Sequence, residues 1–123
     1  MAIGWGGIDP TVVADSDDYE LGTEYLANVD VTLTKIRVWA DASEEGFIGR
    51  TATVWSTVGG VLAIASLPDA LPAGWSSYSL SVPVERTVGQ RFVVSYPTGG
   101  RYGAVAAALT SNVPSPNGAI SAL

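Results

Sequence analysis

The chain has 123 residues, 47% hydrophobic and only 15% charged; that is one domain's worth of sequence around a single core, too apolar to be disordered. It contains no cysteine and no histidine, which excludes disulfides, thiolate chemistry, zinc–thiolate sites and any catalytic base built on imidazole. The net charge is −6 with a single lysine, the opposite of the clustered Lys/Arg that neutralises nucleic-acid phosphates or an anionic lipid surface.

Residues 1–18 are glycine-rich and then acidic, without periodicity, and read as an N-terminal arm. Met1 to Gly7 carries no basic residue and no sustained apolar run, so no signal peptide is expected there. Strand candidates follow. Tyr19 to Ala27 comes first, and then Val29, Val31 and Leu33 alternate with Asp30, Thr32 and Thr34. After Lys35 the alternation resumes one residue out of phase as Ile36, Val38 and Ala40. A slip of one residue inside a strand re-aims every later side chain, so this pattern predicts a bulge or sharp bend. Thr51 to Thr57 and Val61 to Leu67 flank Gly59-Gly60, which reads as a two-residue hairpin turn. Pro68 to Gly74 is a connection between strands. Trp75 to Val82 ends at Pro83, a residue that belongs at an edge or a bulge because it lacks an N–H. Arg91 to Tyr96, the turn Pro97 to Gly100, and Arg101 to Ala106 complete the set. Only Val105 to Leu109 has the pattern of a helical turn, and the longest apolar windows (Val58 to Ala65, Tyr102 to Leu109) are far short of the ~20 residues of a membrane helix. Residues 110–123 hold two prolines and no charge, a second arm of the kind that orders on contact with a partner. The fold expected is all-β: an antiparallel sandwich, jelly-roll or Ig-like, of about seven to eight strands over residues 19–109 with extended terminal arms.

Charge is unevenly placed. Residues 1–45 hold ten acids against Lys35 and Arg37, while the rest holds Arg50, Arg86, Arg91 and Arg101 against Asp69 and Glu85. This asymmetry keeps a chain soluble, and it also lets the negative half of one copy meet Arg86, Arg91 and Arg101 of another.

From Glu20 to about Ala106 the chain resembles the family catalogued as domain of unknown function 4082. The residues that carry the resemblance, in order, are Glu20-Leu21-Gly22-Thr23-Glu24-Tyr25, then Thr34-Lys35-Ile36-Arg37-Val38-Trp39, Ala52-Thr53-Val54-Trp55 and Gly60-Val61-Leu62-Ala63. Gly74-Trp75-Ser76-Ser77-Tyr78, Pro83-Val84, Gly89, Phe92-Val93-Val94-Ser95-Tyr96 and Arg101-Tyr102-Gly103-Ala104 complete it. The resemblance implies a jelly-roll-like β-sandwich without known catalysis, found in secreted bacterial multidomain proteins beside carbohydrate-active domains and in phage structural proteins. The family closes with an aromatic strand after an Asn-Gly turn, whereas this chain has Asn117-Gly118 and stops at Leu123. A missing last strand and an exposed sheet edge are therefore expected, and an open edge is a template for another chain.

The expected function is non-catalytic: a phage virion surface protein, decorating a capsid or associated with a tail. Its partners are then copies of itself and a major capsid or tail protein, with no nucleic acid, no membrane and no cofactor. Trp5, Ile3, Ile8, Ile120 and Leu123 on the arms are the expected partner contacts, with Trp5 an aromatic anchor outside the sandwich. The alternative is an extracellular or cell-surface carbohydrate-binding module using Trp39, flanked by Lys35 and Arg37, because an indole face complements the apolar face of a sugar. Trp55 and Trp75 are expected to fill the core between the sheets. Asp15, Asp17, Asp18 and Glu20 offer oxygen ligands for calcium, but without the glycine and distal glutamate of an EF-hand loop they read as a solvated segment.

Overall fold

Alternating apolar and polar residues bury one face of each strand, and the chain folds accordingly into antiparallel sheets. The computed structural model describes residues 2–3, 11–14, 20–40, 51–68, 72–97, 101–104, 113–114 and 119–122. The described residues form eleven strands: β1 (Ala2–Ile3), β2 (Thr11–Ala14), β3 (Glu20–Ala27), β4 (Val31–Ala40), β5 (Thr51–Trp55), β6 (Val61–Ser66), β7 (Gly74–Arg86), β8 (Arg91–Pro97), β9 (Arg101–Ala104), β10 (Val113–Pro114) and β11 (Ile120–Ala122). There is no helix among the described residues. One sheet has the order β1-β4-β7, a second the order β10-β11-β3-β8-β5-β6, and β2 pairs with β9 alone.

The two larger sheets share one core. Ile36, Val38, Ala40 and Val84 come from the first; Tyr25, Ala52, Val54, Ala63, Ala65, Phe92, Val94, Tyr96 and Ala122 come from the second. At its centre the rings of Tyr25 and Phe92, directly paired across β3 and β8, stack with centroids 5.4 Å apart and an interplanar angle of 16°. Burial of these side chains, at roughly 1.5–3 kcal/mol for each large one, is the main force holding the layers together.

The phase slip in β4 is real. The register with β7 is continuous from Val31↔Arg86 to Leu33↔Val84, then resumes at Lys35↔Ser79. Thr34 and Lys35 are consecutively exposed, so Leu33 and Ile36 both face inward. Opposite the break, Leu80 to Pro83 leave the ladder with β4. Here β7 reaches across to the other sheet, where Ser81 Oγ accepts a hydrogen bond from the Ile64 N–H of β6 at 3.1 Å. A proline is tolerated in this stretch because no ladder partner needs its N–H.

Two expectations are corrected. The β5–β6 connection is a three-residue loop, closed by Ser56 N–H donating to Gly60 O at 2.7 Å, with Gly59 at φ +93°. Three residues with glycine left-handed in the last place suit the twist of the hairpin, and Leu62 is the extra residue where the β5–β6 register shifts between Val54 and Trp55. The chain ends also differ from free arms where they are described. Ala2–Ile3 lies against Trp39 and Val38 of β4, and Ile120–Ala122 runs antiparallel to Ala27–Tyr25 of β3. A short last strand is thus present. Ala122 joins the core, and Asn28 anchors the segment by donating from Nδ2 to Ser121 Oγ at 2.8 Å and from its backbone N–H to Ala119 O at 2.8 Å.

Candidate functional site

Parity of β4 decides what its outer face carries. With Ile36, Val38 and Ala40 buried, Lys35, Arg37 and Trp39 point away from the core, about 7 Å apart along the strand. Their cross-strand partners on β7 are Ser79, Ser77 and Trp75 respectively. Directly paired residues of an antiparallel ladder share a face, so Trp39 and Trp75 stand side by side on the outside of the three-stranded sheet. Both indoles are partly exposed. The Arg37 guanidinium lies over the Trp75 ring, 5.3 Å from its centroid, a cation–π contact that holds the charged group in place. Trp75 Nε1 is buried without a hydrogen-bond partner among the described residues.

Trp75 is therefore not a core residue, and neither is Trp55. Trp55 sits on the outer face of the six-stranded sheet, where its Nε1 donates to Ser95 Oγ at 2.8 Å. Val54, one residue earlier, takes the inward position that the ladder allows. Around it the outer face carries Val93 and an exposed pair, Arg91 Nη1 and Glu24 Oε1 at 3.6 Å, a surface ion pair of little energetic weight. Along the β6 margin, Val58 (94% exposed), Val61 (57%), Ile64 (40%) and Val82 (51%) leave an apolar border.

A cavity of about 90 Å³ opens between the layers beside the break in β4. Tyr25, Leu33, Ile36, Val54, Leu80, Phe92, Val94 and Ile120 line it, and Lys35 and Arg37 border it on β4. Burial pushes the Tyr25 hydroxyl up to about 12, opposed in part by a hydrogen bond with the Thr23 side chain. Ile120, an expected partner contact, instead packs on the core and forms a wall of this cavity. Of the other expected contacts, Ile3 lies in β1 opposite Val38, while Trp5, Ile8 and Leu123 fall outside the described residues. So do Asp15, Asp17 and Asp18, leaving Glu20 in β3; no cluster of three or more metal-ligating side chains occurs among the described residues. Arg86 is partly buried with its Nε unpartnered among those residues.

The model of the domain of unknown function DUF4082 matches residues 8–122. The chain belongs to the DUF4082 family. No curated protein and no solved structure matches it. Within this DUF4082 chain, sequence reasoning singled out Trp39 with Lys35 and Arg37 but missed Trp75 as their neighbour. The alternation in Gly74-Trp75-Ser76-Ser77-Tyr78 carries a signal for which side Trp75 takes. The register that sets it against Trp39 rather than two residues away is a tertiary fact.

Proposed function

We propose that this DUF4082 chain is a non-catalytic recognition module that binds a glycan on the outer face of the three-stranded sheet. The observation that supports the reading is the partly exposed Trp39 placed beside Trp75 on a rigid ladder. Each indole offers a broad, stiff apolar surface with few rotatable bonds, the property that makes aromatic side chains good anchors for ring-shaped ligands. A rigid strand pair also keeps the ordering cost of binding low. Retention on a panel of immobilised polysaccharides tests this. Trp39→Ala is expected to weaken retention at least about tenfold, equivalent to roughly 1.4 kcal/mol, with the melting temperature nearly unchanged. Retention that is absent from the whole panel, or indifferent to Trp39→Ala, removes the proposal.

A second reading is a surface protein of a phage particle that works through protein contacts. The exposed Val58, Val61, Ile64 and Val82, in β6, the loop before it and the stretch of β7 that reaches it, favour it, since exposed apolar surface is what association buries. A strictly monomeric chain that no particle retains would count against it.

A further inference from the structure

We propose that the cavity beside the break in β4 is a binding site for a short neutral alkyl group, of about three to four carbons, at the end of a small molecule. The cavity lies on the inner side of β4, where Ile36 points, and is separate from the indoles of Trp39 and Trp75 on the outer side. Three observations carry the proposal. First, the paths of two strands make the cavity. Between the pairs Leu33↔Val84 and Lys35↔Ser79, Thr34 alone faces Leu80 to Pro83. That stretch of β7 turns toward β6, where Ser81 Oγ meets the Ile64 N–H. Ser81, Val82 and Pro83 are exposed, and Leu80 alone among them packs against the core. The layer is thus short of side chains beside the Tyr25–Phe92 stack, and close packing is lost there through the course of the backbone.

Second, the walls are apolar. Apart from Lys35 and Arg37, which are exposed residues, every lining residue is aliphatic or aromatic. A charged group entering such a space loses its hydration, whereas an alkyl group supplies the dispersion contacts that the facing walls lack. Third, volume sets the size of the ligand. An apolar cavity of about 150 Å³ takes up benzene, a molecule of six carbons. At the same filling, about 90 Å³ holds about three to four carbons, which is too few for a six-membered ring. Leu33, Leu80 and Ile120 are only partly buried, so the alkyl end enters on their side while a polar head group stays in solvent.

Titration with straight-chain alcohols from ethanol to 1-hexanol, followed by amide and methyl shifts in two-dimensional NMR, tests the proposal. The shifts are expected to saturate and to concentrate on Leu33, Leu80 and Ile120. Affinity should rise about fourfold per added carbon as far as propanol or butanol, and by less than about twofold per carbon beyond, once the cavity is full. Leu80→Phe fills the cavity and should remove the saturable shifts. Leu80→Ala enlarges it and should move the levelling point to a longer alcohol. If Leu80→Phe does not fold, the parent series and Leu80→Ala decide. The proposal is overturned by shifts that are absent, that spread over the exposed Val58, Val61 and Val88, or that strengthen up to hexanol without levelling. A levelling point that Leu80→Ala leaves in place overturns it as well.

Discussion

Phe92→Ala is the substitution that tests most directly how the two layers are held together. Phe92 is 2% exposed, is among the largest fully buried side chains, and stacks on Tyr25. It also lines the cavity of about 90 Å³, so its truncation enlarges an existing void beside a break in the β4–β7 ladder. Truncating a core phenylalanine costs about 3–5 kcal/mol, of which the loss of an aromatic pair is about 1 kcal/mol. For a chain of this length the unfolding entropy is about 0.26 kcal/mol/K, which converts the loss into a melting temperature lower by roughly 12–19 °C. Chemical denaturation followed by circular dichroism measures the free energy, and the melting scan checks it independently. Val88→Ala, at a residue 64% exposed, serves as the control and should lie within about 0.5 kcal/mol of the parent. A loss below about 2 kcal/mol for Phe92→Ala would show that Phe92 is not a main contributor to the packing between the sheets.

Two further outcomes follow from the same core and from the opposite face. Tyr25 ionises at about 12 in the folded chain against 10.0 in the open chain, so the folded state favours the neutral phenol. That advantage is complete below pH 10 and disappears as the pH rises to about 12, at a cost of about 3 kcal/mol; Tyr25→Phe should flatten this part of the stability–pH curve, and an unchanged slope would contradict it. Ser95→Ala removes the acceptor of the Trp55 Nε1 bond and should cost about 1–2 kcal/mol in denaturant. Little further loss is expected when Trp55 is already Phe, and an equal loss in both backgrounds would show that Ser95 acts through something else.

How much of this was legible beforehand differs from element to element. The strands at 20–27, 51–55, 61–66 and 91–97 follow from local alternation and turn residues, because burial of one face imposes period two on the chain itself. The slip at Lys35 was readable for the same reason. It appears as two consecutive polar residues, Thr34 and Lys35, within an alternating run. The continuation of β7 through Pro83 was not legible: a proline inside an apolar run ends a ladder strand unless its partner has already moved away, and that depends on β4 and β6. Nor was the outward placement of Trp55 and Trp75. Size and hydrophobicity argue for the core, whereas strand parity, set by Val54 and by the pairing of β7 with β4, puts both on the surface.

For the candidate site the division runs along the same line. Lys35, Arg37 and Trp39 are spaced two apart, so their common side of the strand is a property of the chain alone, and so is their opposition to Ile36, Val38 and Ala40. The neighbour that turns them into a site, Trp75, is separated from Trp39 by a chain segment whose path no short-range pattern encodes. Period two tells a strand which side faces in, but it is degenerate to any even shift in pairing. Only the packed structure, with its particular break at Leu33 to Lys35, removes that degeneracy and sets one indole beside the other under a guanidinium.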